Sequence, residues 1–272
     1  MLAERRIHLE GYGLLTPFII FTLIFWLYPF IWGIFIAFMK WNIISPKKEF
    51  VGLKNFIRVF RDPLLWISIR NVFYFMLVFV PVSIAAALTV AWLLNQVKFL
   101  QSFFATGYLL SYVSAGVAYS IVFRILFSGD GLLNQWFTKM GVSIPWFSDP
   151  RLAMVTIALI VVWKFVGYYA LIFLAGLQAI PKSLYETAAI EGAGKWRQFW
   201  HITVPLLNPS FTIILVFAIM LSFNIFTEPY LITGGGPLDS TQTPLLQIYY
   251  HTFEALHAGY GSSFALLVAL IS

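Results

Sequence analysis

Long apolar segments without charge alternate with shorter polar segments along this chain. No Asp, Glu, Lys or Arg occurs in four windows, at residues 11–39, 71–97, 99–123 and 198–227. A bilayer with a hydrocarbon core about 30 Å thick requires roughly 20 helical residues at about 1.5 Å each. Each window exceeds that length, so the pattern predicts helices that cross a membrane.

The apolar segments predict an all-α integral membrane protein with six spans, joined by loops that include residues 40–70 and an ordinary exposed loop at 128–150. Only Lys98 is charged between spans two and three, and so short a connection predicts an antiparallel pair of helices. The last apolar segment, from Ala258 to Ser272, covers only roughly 22 Å, so we expect the sequence to end inside its sixth span. The first five spans are placed at about residues 14–38, 72–94, 103–127, 152–177 and 206–227.

Composition agrees with a membrane protein and excludes several classes of function. Charged residues make up 10% of the chain, whereas soluble domains carry about 25%. The absence of Cys excludes a disulfide framework, a thiolate nucleophile and a zinc site built on sulfur, and the His residues lack the spacing of a metal site. The net charge of +6 comes from basic residues scattered over the connections, so we expect no nucleic-acid partner.

The distribution of Lys and Arg indicates on which side of the membrane the N-terminus lies. The segments on the same side as the N-terminus contain fewer Lys and Arg residues than the segments on the opposite side. The positive-inside rule therefore favours an external N-terminus.

The polar segment at 181–209 has helix-forming chemistry between two spans. Ser183 and Glu186 have the spacing of a capping box, which predicts a helix start, and Gly192 is suited to end that helix. A second helical piece is expected over 195–202, closed by Pro205. The small residues and flanking aromatics suit docking in a groove of a partner protein or an interfacial helix on lipid, and periodicity does not decide between them.

The same segment resembles the EAA signature of permease subunits of binding-protein-dependent ABC importers. That signature is EAA, two residues, DG, nine residues, I, one residue, LP. This chain departs from it at Thr187, Glu191 and Val204 and retains Gly192. The matching residues are Glu186-Thr187-Ala188, Glu191-Gly192, Ile202 and Val204-Pro205. Segments similar to the carbohydrate branch of these permeases occur at 50–56, 131–134, 145–150, 174–178 and 231–237.

The resemblance implies a type I ABC importer transmembrane domain in a bacterial or archaeal cytoplasmic membrane. Its function would be to move a sugar or oligosaccharide by alternating access. The implied partners are a second homologous permease subunit, two cytosolic ATPase subunits that bind ATP and Mg, and an extracytoplasmic substrate-binding protein, with no cofactor in this chain. The family's coupling residues correspond to Glu186, Ala188, Glu191, Gly192, Ile202 and Pro205.

The resemblance also implies a division of the chain and an orientation. Residues 1–70 would form an N-terminal helix and external loop, and 71–272 the transport domain with a cytoplasmic coupling loop at 181–209. A cytoplasmic coupling loop requires a cytoplasmic N-terminus, against the charge count. No nucleotide site is predicted in the chain, because Lys195 is not followed by Ser or Thr, and the glycines at 234–236 are expected to form a flexible turn.

Five residues are candidates for the substrate path. Lys164 lies near the middle of span four, where a charge costs at least about 2.5 to 3.5 kcal/mol. It either lines the substrate path together with Tyr168 or is a structural lysine. In the second case its side chain pairs with a neighbouring helix or extends to the membrane surface. Asn224 and Glu228 lie four residues apart on span five with Tyr230 nearby, which suits sugar hydroxyls and ring faces. The alternative for the aromatics is lipid-facing packing.

Two other functions remain as alternatives. An ion-coupled secondary transporter would need acidic residues inside its spans, whereas Glu228 lies at a span end. A membrane-embedded enzyme would need clustered catalytic groups, and the sequence predicts none.

Overall fold

The computed structural model describes residues 14–97, 99 and 101–272, and these are largely helical. Packing divides the chain into two compact units, one of Met1–Leu65 with Gln247–Ser272 and the other of Trp66–Leu246. The elements in chain order are α1 Leu14–Ala37, β1 Met39–Trp41, β2 Lys48–Phe50, α2 Lys54–Phe60, α3 Pro63–Gln96, α4 Gln101–Val113, α5 Gly116–Leu126, α6 Leu132–Lys139, α7 Ala153–Ala179, α8 Lys182–Ile190, α9 Lys195–Leu206, α10 Asn208–Phe223, a π-helical turn Pro229–Thr233, α11 Pro244–Tyr249, a second π-helical turn Tyr250–Glu254, and α12 Ala258–Ile271.

Membrane-spanning length is reached by single helices and by bent pairs. Within the described part of the chain, α1, α3 and α7 are each long and apolar enough to cross a bilayer. The pairs α4/α5 and α9/α10 reach that length only together, with bends of 89° and 61°. The apolar helix α12 is shorter, so the count of six spans stays a prediction.

The first unit is held together at the C-terminal end of α1. The Asn55 side-chain amide donates to the carbonyls of Ala37 and Met39, each at 2.9 Å. The Ser263 hydroxyl, from α12, also donates to the Ala37 carbonyl at 2.8 Å. These donors satisfy carbonyls that a helix end leaves free. The antiparallel β1–β2 hairpin, with Lys40 opposite Glu49, follows directly.

The core of the second unit lies among α3, α7 and α10. Phe75, Phe79, Tyr169 and Phe173 are almost completely buried there. Gly167 allows the close approach of α4, because a Cβ at this position would overlap the Tyr108 carbonyl. Small residues let membrane helices approach closely where lipid provides no hydrophobic drive between them.

The second span begins earlier than its predicted position near Val72. The Asp62 carboxylate accepts a 2.9 Å hydrogen bond from the Leu64 amide, and Pro63 occupies the first helical turn. An acidic cap followed by proline is a favourable helix start. The predicted loop at 40–70 therefore ends near Asp62 and also holds the hairpin and α2.

The prediction of a continuous third span is wrong, because the chain breaks between α4 and α5. Ala115 has an extended backbone, with φ −61° and ψ 127°. Beside the break, the hydroxyls of Ser111 and Ser114 donate to the carbonyls of Tyr108 and Ser111, at 2.8 and 2.6 Å. Such local side-chain bonds compete with the helical pattern. The predicted short connection before it includes Lys98, which lies outside the described residues.

The loop predicted at 128–150 contains a helix, α6, and is organised by one buried side chain. The Asn134 amide donates to the Gly129 carbonyl at 3.1 Å and accepts from the Ile144 amide at 3.2 Å. The connection is therefore folded on itself. It is largely exposed, as expected, but the expectation of an ordinary loop without a helix is wrong.

The helix that leads into span five continues through Pro205. A π-helical turn over Phe199–Thr203, closed by the Val204 amide and the Phe199 carbonyl, precedes the proline. Single π turns of this kind commonly lie inside α-helices. The predicted stop at Pro205 is wrong, and the bend instead falls at Leu207, between α9 and α10.

Candidate functional site

The coupling segment begins with α8, whose start differs from the predicted capping box. Pro181 is the N-cap, with φ −61° and ψ 129°, and no side chain caps the helix. Ser183 and Glu186 therefore do not form the reciprocal pair, because the helix already begins at Lys182. The predicted box is wrong in mechanism, although a helix is present where it was expected.

The turn after α8 depends on Gly192. This residue has φ +82°, and the Ala193 amide donates to the Ala188 carbonyl at 2.8 Å. That bond is typical of the Schellman motif, which leaves its glycine in the left-handed region. A Cβ at Gly192 would meet nothing within 4 Å, so conformation and not space requires glycine here. The predicted helix end at Gly192 is confirmed.

The helix and turn present an exposed surface, which we call the coupling surface: Lys182–Ile190 and Glu191–Gly194. Glu186, Glu191 and Gly192 are exposed on it, and Ala188 is half-buried. Ile190 is 88% exposed. Exposed large apolar side chains beside charged ones are typical of contact surfaces.

The coupling surface is tied to the transmembrane core by contacts that the sequence did not reveal. The Tyr185 and Thr203 hydroxyls are hydrogen-bonded at 2.8 Å, which joins α8 to α9. The Gln198 amide donates to the Ala193 carbonyl at 2.9 Å. Ile202 packs against the core, whereas Pro205 is exposed. Two hydrogen bonds therefore join the coupling surface to α9.

Lys164 lies half-buried in α7, beside the break between α4 and α5. Its ammonium is 4.6 Å from the Tyr119 ring centroid and 5.6 Å from that of Phe165. Such cation–π contacts contribute about 0.5 to 2 kcal/mol each, so the two together offset part or all of the roughly 2.5 to 3.5 kcal/mol cost of a charge at this depth. Within the described residues no carboxylate forms an ion pair with Lys164.

A cavity of about 250 Å³ lies beside Lys164, among aromatic rings. Tyr168 lines it and stacks on Tyr112, with ring centroids 4.7 Å apart. Phe165 lines it as well, and its ring centroid lies 5.6 Å from the Lys164 ammonium. The lining residues are Tyr112, Phe165, Tyr168, Tyr169, Phe217, Met220, Leu221 and Asn224. The structure thus brings Tyr168 and Asn224, two of the predicted path residues, to one cavity.

Glu228 and Tyr230 do not share a helix with Asn224. The helix α10 ends at Phe223, and the Asn224 side-chain amide donates to the Met220 carbonyl at 2.8 Å. The predicted pair four residues apart on one span is therefore wrong. Glu228 is only 6% exposed, and this burial raises its carboxyl pKa to about 6. The Tyr230 ring stacks on Phe226, away from the cavity lining.

The glycine-rich loop that follows is ordered by hydrogen bonds and is not the flexible turn that was expected. The hydroxyls of Thr233 and Thr241 are 2.7 Å apart, and Thr241 donates to the Gly236 carbonyl at 2.7 Å. The Asn71 side-chain amide, from α3, donates to the Asp239 carbonyl at 2.7 Å. The loop is thereby fastened to a membrane-spanning helix.

Helices of membrane-spanning length, two bent pairs and a short exposed helix between spans together define a multi-pass α-helical membrane protein. The sequence model of the family described as binding-protein-dependent transport system inner membrane component matches residues 12–272. The chain belongs to this family.

Similar proteins include two characterised relatives and a solved transporter. The sulfoquinovosyl glycerol transport system permease protein SmoG of Agrobacterium fabrum (strain C58) is 34% identical over 262 residues, covering 95% of this chain and 85% of the relative. The lactose transport system permease protein LacF of Rhizobium radiobacter is 33% identical over 275 residues, covering 98% and 92%. A bacterial ABC transporter for import of the acidic polysaccharide alginate has the same fold, with a TM-score of 0.84 at 20% identity over 99% of this chain and 93% of that chain.

Membership of the family settles the kind of protein. The chain is a multi-pass inner-membrane permease subunit of an ABC importer. It is a transport subunit and not an enzyme, and ATP hydrolysis is carried by separate subunits. It works with a substrate-binding protein.

Proposed function

We propose that this chain moves a sugar or oligosaccharide and that its coupling surface receives the ATP-driven motion of a cytosolic ATPase. The observation that carries the proposal is an exposed helix and left-handed glycine turn joined to a membrane helix by the Tyr185–Thr203 hydrogen bond. ATP and Mg are held by the ATPase subunits. The contact residues are Glu186, Ala188, Glu191 and Gly192, and transmission runs through Ile202 and Pro205.

Motion of the coupling surface reaches the substrate cavity through α9 and α10. The 61° bend between these helices is a natural place for a change of tilt. Because α10 supplies Phe217, Met220 and Leu221 to the cavity, such a tilt changes the cavity's access to either side. In this proposal, alternating access is this change in the access of the cavity with the tilt of α10.

The substrate path comprises the aromatic cavity with Tyr168 and Asn224, and Lys164 beside it. Stacked rings provide apolar faces for sugar C–H groups, and the amide provides hydrogen bonds to hydroxyls. The names of the two relatives, transport system permeases for lactose and for sulfoquinovosyl glycerol, support a carbohydrate as the substrate. Glu228 and Tyr230 lie after the end of α10. In this proposal they contribute to the substrate path from the loop that follows this helix.

The proposal places the coupling loop, residues 181–209, and the N-terminus in the cytoplasm. Residues 1–70 then form an N-terminal helix with an external loop, and residues 71–272 form the transport domain. The chain has no Cys, so single introduced cysteines report position directly. In intact cells, a membrane-impermeant maleimide is expected to label Lys47→Cys at once and Ser183→Cys only after permeabilisation. The reverse order would contradict this orientation.

Cross-linking tests the contact itself. A photoreactive maleimide on Ile190→Cys is expected to cross-link the ATPase subunit of the assembled transporter. The matched control is Lys139→Cys, which is exposed on α6, away from the coupling surface. Equal ATPase cross-linking from both positions, or lipid adducts alone from Ile190→Cys, would support an interfacial helix and contradict the proposed coupling role.

A further inference from the structure

The Lys164 ammonium is a positive charge inside a membrane-spanning helix, and no carboxylate among the described residues forms an ion pair with it. It occupies the middle third of α7 and lies against the faces of Tyr119 and Phe165. Ionisable groups in spans usually face a cavity or a counter-charge. Glu228, a buried carboxylate of the same unit, forms no ion pair with it among the described residues.

Gly116, the first residue of α5, lies beside this ammonium. A Cβ built on Gly116 would lie 3.9 Å from the Lys164 Nζ and 3.4 Å from the Thr227 methyl, which are ordinary van der Waals contacts. The ammonium therefore lies at the break between α4 and α5. Phe165 contacts the ammonium with its ring and also lines the cavity that Tyr168 and Asn224 line.

Building on the proposed sugar path, we propose that Lys164 is a specificity residue that selects saccharides bearing an anionic group, such as a carboxylate. One sugar ring stacks in the aromatic cavity, and its anionic substituent contacts the ammonium beside Phe165. A charge-assisted hydrogen bond in a low-dielectric site is stronger than a neutral one, so the ammonium favours the charged sugar over a neutral sugar of the same size.

The test compares uptake of an acidic and a neutral oligosaccharide of equal length. The complete transporter, with both permeases, the ATPases and its binding protein, is reconstituted in proteoliposomes with trigalacturonate or galactotriose as the probe. The measured quantity is the ratio of acidic to neutral uptake. The wild type is expected to prefer the acidic probe, and Lys164→Met to lower the ratio by at least about tenfold, the loss expected for one charged hydrogen bond. Lys164→Arg is expected to keep most of the preference.

The control is Lys139→Met, which removes the same charge from an exposed position on α6 and is expected to leave the ratio unchanged. Recovery of each variant complex by size-exclusion chromatography accompanies every uptake measurement. Lys164→Gln provides an uncharged polar variant in case Lys164→Met fails to assemble.

Each outcome decides between named alternatives. If Lys164→Met and Lys164→Gln leave both sugar uptake and the ratio of acidic to neutral uptake unchanged, Lys164 does not select anionic saccharides, whereas the proposed sugar path is not contradicted. Loss of complex assembly in both uncharged variants, restored by Lys164→Arg, shows that the charge pairs with a carboxylate of the partner permease and also overturns it. No uptake of either saccharide by the wild type refutes the proposed substrate path itself.

Discussion

The left-handed turn at Gly192 provides the sharpest test of the coupling surface, because a second glycine two residues away serves as its control. Gly192 has φ +82°, whereas Gly194 has φ −65° and ψ 161°, a conformation open to any residue. A Cβ would meet nothing within 4 Å at either position. The effect of substituting Ser therefore differs between the two sites only because the backbone conformation and the role in helix capping differ.

The expected magnitudes follow from that difference. An L-residue in the left-handed helical region costs about 1 to 2 kcal/mol, which lowers the ratio of native to non-native turn by a factor of roughly 5 to 30. If the ATPase recognises this turn, its apparent affinity for Gly192→Ser falls by up to the same factor. Gly194 is the N-cap of α9, where Ser is favourable, so Gly194→Ser is expected to bind like the wild type.

The assay is a titration of the ATPase subunit onto the purified permease pair, followed by ATP-dependent uptake in proteoliposomes. Gly192→Asn is expected to fall between Gly and Ser, because Asn tolerates the left-handed region better than most residues. Equal ATPase affinity and uptake for Gly192→Ser and Gly194→Ser would refute the requirement for a left-handed turn at the contact.

Three further predictions concern the second unit. Tyr185→Phe removes the hydroxyl bond to Thr203, so faster amide exchange in α8 and less uptake per ATP are expected, with a loss of about 0.5 to 1.5 kcal/mol. Burial raises the carboxyl pKa of Glu228 to about 6, against an ordinary 4.5, so the folded state loses about 2 kcal/mol of stability as the pH rises through this interval. Glu228→Gln is expected to abolish this pH-dependent loss of stability, measured by thermal unfolding in detergent. Gly167→Ala forces overlap between helices and is expected to destabilise by about 1 to 3 kcal/mol, whereas Gly107→Ala, with open space, is not.

Each of these has its own contradicting result. Adding Thr203→Val to Tyr185→Phe is expected to change exchange little further, and full additivity would mean that the two hydroxyls act independently. For Glu228, the control is the exposed Glu254→Gln, and an equal change in pH dependence from both would remove the role of burial. Equal melting temperatures for the two alanine variants would contradict the close packing at Gly167.

The membrane spans were largely predictable, and their interruptions were not. Hydropathy records only that a segment of sufficient length is apolar, and it is insensitive to two residues that leave the helix, such as Ser114 and Ala115. No proline or charge marks that break. The early start of α3 differs, because the Asp62-Pro63 pair is a recognisable capping sequence that lies outside the uncharged window.

The coupling surface was predictable because its chemistry is local, within a few residues of Gly192. Tyr168 and Asn224 were candidates for the path, but their meeting at one cavity was not predictable, since it depends on which helices pack together. Gly167 illustrates the limit. A glycine in a span permits a close approach, but the residue that it meets is not visible in the sequence. Gly167 meets the Tyr108 carbonyl, while the neighbouring Gly107 faces open space. That one-residue difference helps to determine which face of α4 meets α7, and hence that Tyr112 stacks on Tyr168 beside the cavity.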